Sequence, residues 1–248
     1  MGFYIFLSTT VLLMIFHDIQ LKLIYYIFPG KDHPSFHNFQ HFAASKYLQL
    51  AKHYAGMKII IESNLKNKLP DNFLIISNHQ SLFDILALTF SFPRFYVRFV
   101  AKKELKFGIP ATSFFLRKAG HALIDRKGSF KESQKKLLKL SSLSRKKGFC
   151  PAIFPEGTRS RNGKVGKFHS AAVRMVLSRS QLPILSVAMD GGYKIAKVKD
   201  LAKNLKDTVY RIKFLKLYTP TADRRQIFSI LEQSRAEITD QVNQWQQK

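Results

Sequence analysis

The sequence predicts an α/β protein: a mixed β-sheet flanked by helices, preceded by N-terminal membrane-associated helices. Three observations carry this expectation. From Gly56 onward, short apolar runs of strand length alternate with longer amphipathic stretches of helical period. Met1 through His17 contain no charged residue. The chain of 248 residues carries 41 Lys and Arg against 16 Asp and Glu, and only five Lys and two Asp of these precede residue 61. An uncharged start followed by a very basic body suggests one part in lipid and another facing anionic headgroups. We therefore expect membrane-anchoring helices in residues 1–55 and one α/β domain in residues 56–248.

The opening run, GFYIFLSTTVLLMIF, lies within an uncharged stretch of 17 residues, Met1 to His17, at the lower edge of what crosses a bilayer. A short span and an anchor entering one leaflet are both allowed. No basic residue precedes the run and no small-residue cleavage site follows it, which argues against a secretory signal. Lys22, Lys31 and the basic body come after it, so the positive-inside bias places the body in the cytoplasm. In the next stretch Phe36, Phe39, Phe42, Ala43, Tyr47, Leu50 and Tyr54 recur at steps of three and four. That is one apolar helix face, suited to a membrane interface by its aromatics or to packing on the core. His37, His41 and His53 lie on the other face with no carboxylate or cysteine nearby, a solvated surface rather than a metal site.

MKIII and NFLIIS read as strands around a turn-rich segment, and LFDILALTFS as a helix ended by Pro93. FYVRFVA and HALID are strands with a helix near ATSFFLRKA between them. A long basic helix starts at a Ser129 cap and stops at Gly148. FCPAIF, LPILSVAM and VYRIKFLKLY are strands, with a helix over FHSAAVRMVLSRS. The last helix puts Ile227, Leu231, Ile238, Val242 and Trp245 on one face.

Composition narrows the function. With 46% hydrophobic residues the chain is not disordered. A net charge of +25 calls for an anionic partner: nucleic acid, lipid headgroups or phosphorylated substrates. Nucleic acid has the charge alone in its favour, with no recognition motif and an unexplained hydrophobic start. The single Cys150 excludes an internal disulfide or a cysteine-based zinc cluster, and reads as a core thiol.

Functional groups in such sheets gather at the carboxyl ends of strands. Directly after NFLIIS come Asn78, His79 and Asp84. Read as a helix start capped by Asn78, this places His79 at the amino end, which favours its neutral form. Asp84, about one turn on, would hold the other ring nitrogen. The bland alternative is a loop with a surface histidine. Directly after FCPAIF comes FPEGTRSRNGK, where Glu156 and Gly157 turn the chain, Thr158 offers a hydroxyl and Arg159 a forked donor. Its composition suits phosphate, although solvated arginines are the plain alternative. The chain has no Gly-x-Ser-x-Gly elbow, no Walker loop and no metal-ligand spacing. A base without a protein nucleophile points to a substrate that supplies its own hydroxyl. Backbone N–H groups just after Asn78 are the expected oxyanion donors.

NHQSLFD resembles the NHx4D motif of the glycerolipid acyltransferases, and FPEGTRSR resembles their EGTR motif. AKKELKFGIP with GHALIDR, and LPILSVAM, resemble two further blocks in the same order, so the likeness covers roughly residues 70–190. The chain is similar in particular to the 1-acyl-glycerol-3-phosphate acyltransferases. The resemblance implies a catalytic α/β domain at the cytoplasmic face of the inner membrane, with an anionic membrane surface as partner and no nucleic acid. It implies His79 as base with Asp84 as its partner, Arg126 and Arg159 on the acceptor phosphate, and Glu156, Gly157 and Thr158 shaping that pocket. The acyl donor would be a thioester of acyl-carrier protein or coenzyme A, with no metal and no bound cofactor. The acceptor would be a lysophospholipid, 1-acyl-glycerol-3-phosphate, giving phosphatidic acid. Ser186 stands where the family has a second proline, which leaves another lysophospholipid or a lyso-aminolipid open as acceptor.

Overall fold

A computed structural model describes residues 2–28, 34–125, 128–206, 208–219, 221 and 223–247. Two helices, α1 (Gly2–Ile27) and α2 (Pro34–Ala55), precede an alternation of strands and helices. In chain order these are β1 (Lys58–Ser63), β2 (Leu74–Ser77), α3 (Phe83–Ser91), β3 (Tyr96–Lys102), α4 (Thr112–Lys118), β4 (Ala122–Ile124) and α5 (Phe130–Leu143). β5 (Phe149–Ile153), α6 (Ala171–Ser180), β6 (Ile184–Asp190), α7 (Val198–Asn204), β7 (Val209–Tyr218) and α8 (Arg224–Gln246) complete them.

Among the described residues the seven strands form one sheet in the order β1-β7-β6-β2-β5-β3-β4. β2 to β6 run parallel, whereas β7 pairs antiparallel with β6 and carries β1 beside it in its own direction. The central strands are buried on both faces, hence the unbroken apolar runs that marked them in the sequence. Alternation along β2 divides its side chains between two cores. Ile75 joins Leu88, Val97, Phe99, Leu185, Val187, Met189 and Tyr210 on the α3 side. Leu74 and Ile76 join Leu137, Val173, Leu177 and Ile184 on the other. There α8 seals the layer with Ile227, Leu231, Ile238, Val242 and Trp245, the five residues its sequence period selects. Cys150 is fully buried, and burial pushes its thiol up to about 12.

Two local expectations shift. Ser129 does cap α5, its hydroxyl accepting from the Glu132 N–H at 3.3 Å, but the helix ends at Leu143 rather than at Gly148. α2 buries Phe36, Phe39, Gln40, Ala44, Leu48, Ala51 and Ala55, a face rotated from the aromatic stripe, and packs between α1 and α3. Phe42 and Tyr54, from the stripe, stay exposed. Phe36 and Phe39, from the same stripe, are buried, and Phe42 and Tyr47 set their rings against His17 of α1. α1 is no core helix: only 17% of its most apolar window is buried, and Leu12, Phe16, Ile19, Leu23 and Tyr26 face outward. Asp18, which interrupts the apolar run, accepts from the Ala111 N–H at 2.8 Å and pairs with Lys22 at 2.7 Å, tying α1 to the start of α4.

His121, just before β4, is held neutral by the fold. Its Nδ1 accepts from the Phe99 N–H at 2.9 Å, its Nε2 is buried with no hydrogen-bond partner, and its ring stacks on Phe99. Burial, with the Arg98 charge adding to it, pulls its pKa down to about 3. The unfolded chain therefore binds a proton that the folded one refuses as pH falls below the ordinary value near 6.5. The stability from this site is complete above pH 6.5 and is lost toward pH 3, at up to about 1.4 kcal/mol per pH unit. Replacing His121 by Asn, whose amide oxygen can still accept from Phe99, should flatten the fall in unfolding free energy between pH 7 and 4, as denaturant titrations will read.

Candidate active site

The C-terminal ends of β2, β5 and β6 lie side by side, and the groups of interest collect there. Asn78 extends the β2–β6 ladder past its last paired residues: its side chain donates to the Met189 carbonyl at 2.8 Å and accepts from the Met189 N–H at 2.9 Å. The helix starts only at Phe83, and Leu82 precedes it without a side-chain cap. Asn78 is thus no N-cap, and His79 stands in a loop before the helix rather than at its amino end. A primary amide matches a peptide unit in both donor and acceptor, so it is used as a rung.

Asp84 lies in the first turn of α3 and is fully buried. Its Oδ2 accepts from His79 Nδ1 at 2.6 Å, from the Gln80 N–H at 2.6 Å and from the Ser81 N–H at 2.9 Å. Its Oδ1 accepts from the Ser81 hydroxyl at 3.3 Å and from the Tyr210 hydroxyl. With Nδ1–H given to Asp84, the neutral imidazole carries its lone pair on Nε2. Among the described residues Nε2 has no hydrogen-bond partner, and the side chain is 15% exposed. The ring is held flat against Phe154, centroids 4.1 Å apart and planes within 10°.

The loop after β5 grips the same histidine through its backbone. Glu156 Oε1 accepts from the His79 N–H at 2.8 Å, and Oε2 from the Gly166 N–H at 2.9 Å. Burial raises the Glu156 pKa despite these two bonds. The Ser160 N–H donates to the His79 carbonyl at 2.7 Å. Gly157 takes φ +70, the left-handed turn that aims the next residues outward. Thr158 and Arg159 are exposed there, one residue from the Ser160 contact. Arg126 lies outside the described residues. The structure therefore brings His79, Asp84 and Glu156 together, with Gly157, Thr158 and Arg159 on the adjoining turn, and it turns the Glu156 carboxylate inward, onto backbone.

The oxyanion donors expected just after Asn78 are overturned. The N–H groups of His79, Gln80 and Ser81 are spent on Glu156 and Asp84. Ser186 is fully buried within β6, at a bulge against β7, with its hydroxyl 3.4 Å from the Lys216 carbonyl. It sits inside the sheet. Sequence reasoning missed Tyr210 and the Asp190 carboxylate, which accepts from Gln80 at 3.2 Å and from Gln246 at 2.8 Å. A cleft of about 580 Å³ beside β7, lined by Asp190, Tyr193, Lys203, Arg211 and Trp245 among others, reaches this network at Asp190 and contains none of the expected site residues. Among the described residues no group of three His, Cys, Asp or Glu is set to hold a metal ion.

A family model described as Acyltransferase matches residues 59–190, more than half of the chain. The 1-acyl-sn-glycerol-3-phosphate acyltransferase of Helicobacter pylori is 33% identical over 147 residues, which cover 59% of this chain and 60% of that protein. A chloroplastic enzyme of the same name from Arabidopsis thaliana is 32% identical over 160 residues, covering 63% and 42%. The chain thus spans 60% or less of the length of these relatives. The crystal structure of PlsC from Thermotoga maritima, described as a 1-acyl-sn-glycerophosphate acyltransferase, superposes with a TM-score of 0.54 over 93% of this chain and 97% of that one. At 21% identity that likeness establishes the fold.

Glu156→Gln keeps one carbonyl oxygen but turns an amide N–H₂ toward a backbone N–H. It should lower the unfolding free energy by about 1–3 kcal/mol, the cost of a buried donor left unpaired, measured by chemical denaturation.

Proposed function

The chain belongs to the acyltransferase family, and from that premise we propose that it transfers a fatty acyl group from a thioester to the free hydroxyl of 1-acyl-glycerol-3-phosphate, giving phosphatidic acid. The observation that carries the reading is the His79–Asp84 pair, closed at 2.6 Å with the second ring nitrogen unpartnered. The names of the relatives support the acceptor. The donor is acyl-carrier protein or coenzyme A carrying the acyl group.

In this reading His79 Nε2 takes the proton of the glycerol hydroxyl as its oxygen attacks the thioester carbonyl. Asp84 keeps the tautomer and stabilises the imidazolium that forms. The tetrahedral intermediate collapses, the C–S bond breaks, and the thiolate leaves with the proton that His79 took up. Arg159, exposed on the turn beside His79, is suited to a forked hold on the acceptor phosphate, with Arg126 as its expected partner and Gly157 and Thr158 shaping the turn. We read residues 1–55 as the membrane-attachment segment and residues 56–248 as the catalytic domain. α1 supports this with a 24-residue stretch, Tyr4–Ile27, of mean hydropathy 1.5 that presents apolar side chains outward. The net charge of +25 suits the anionic, cytoplasmic surface of the inner membrane.

Purified protein incubated with lysophosphatidate and both thioester types tests the reading directly. His79→Ala should lower kcat by about 10²–10⁴ with an unchanged circular dichroism spectrum, the usual worth of a positioned base. A folded variant with normal transfer would sink the assignment. Arg159→Ala should raise KM for lysophosphatidate at least tenfold while sparing lysolipids without a phosphomonoester. Equal loss on both acceptors would remove Arg159 from the phosphate site.

A further inference from the structure

Asp84 is held by its own loop and by one side chain from outside it. Oδ2 faces His79, Gln80 and Ser81, all within five residues. Oδ1 faces the Ser81 hydroxyl at 3.3 Å and the Tyr210 hydroxyl, which arrives from β7, 126 residues further along the chain. Tyr210 is itself fully buried, beside Met189, whose sulfur lies 3.8 Å from the hydroxyl. The strand that carries it falls outside the matched stretch 59–190. A phenol in an apolar core needs a partner for its hydroxyl, and any backbone carbonyl would serve for packing. Placing it instead on the one carboxylate that grips the base joins it to the chemistry.

We propose that Tyr210 is a positioning residue that sets the strength of the His79 base by donating a hydrogen bond to Asp84. The inference rests on the proposed function and adds a third member to its His–Asp pair. The donor drains charge from the carboxylate, so Asp84 grips the imidazolium less and His79 is the weaker base. The titratable and charged groups facing Asp84 and Tyr210 are His79 from the β2–α3 loop, Glu156 from the loop after β5 and Asp190 from β6. Burial, with the charge of Asp84 adding to it, raises the Tyr210 hydroxyl well above its ordinary value, so it remains a donor throughout the working pH range.

The test uses the full chain with lysophosphatidate and an acyl thioester. Tyr210→Phe keeps the ring and removes the donor. It should leave the plateau kcat and both KM values within a few-fold of the wild type, since the base itself remains. The acid limb of the pH profile of kcat/KM should move up by about half to one pH unit, because an undrained Asp84 raises the basicity of His79 and its own. Ring-fluorinated tyrosine at position 210, a stronger donor of nearly the same shape, should move that limb down. It keeps the idea exposed even where Tyr210→Phe folds poorly. An unshifted limb in both variants, whatever happens to kcat or KM, overturns the proposal and leaves Tyr210 a packing residue. His79→Ala run in parallel separates the two readings: if it retains transfer, the proposed base falls, and if it is inactive while both Tyr210 variants keep the wild-type limb, only the role of Tyr210 falls.

Discussion

A carboxylate taken out of water has to recover its hydration from the protein, and the arrangement of this site follows from how Asp84 does so. Its Oδ2 draws in two backbone N–H groups from the loop that also carries His79. The same oxygen then holds the imidazole. Shaping the loop and orienting the imidazole are one operation, because a single atom anchors both. Each charge-assisted bond is worth about 1.5–3 kcal/mol, enough for a few of them to hold a five-residue loop that has no regular structure.

The sheet supplies the remaining contacts. Parallel strands bring their carboxyl ends to one edge, so the loops after β2 and β5 meet, and Glu156 and Ser160 hold the backbone of His79 on both sides. β7 runs the other way, with Asp190 at the end of β6 opposite Arg211 near the start of β7. Reversal therefore delivers the beginning of β7, and Tyr210 with it, to the edge where β2 to β6 end. A seventh strand in the common direction would have offered its far end instead.

The N-terminal helices meet the domain through its helices and one core. α1 leans on α2 and α4, and α2 spends its small and aliphatic side chains on α3. The long apolar face of α1 is left outward, and the two charges that interrupt the helix pair with each other, Asp18 also accepting from the Ala111 N–H. A helix so arranged presents lipid-compatible side chains over most of its length, with Asp18 and the buried His17 turned toward protein.

Much of this was legible in the sequence. The strands and helices of the body follow from apolar runs and periods, and the five inward residues of α8 from spacing alone, since both are local properties. The stripe of α2 is divided, Phe36 and Phe39 buried and Phe42 and Tyr54 exposed, because two different neighbours, α1 and α3, pack on the helix. Asn78 misled: an amide before a helix reads as a cap, and only the presence of β6 alongside makes it a rung. The His79–Asp84 pair could be seen at a separation of five residues, within reach of one turn of chain. What tertiary structure alone decided is who else binds that aspartate. A partner 126 residues away leaves no mark in local spacing, and it reaches Asp84 only because β7 enters the sheet antiparallel beside β6.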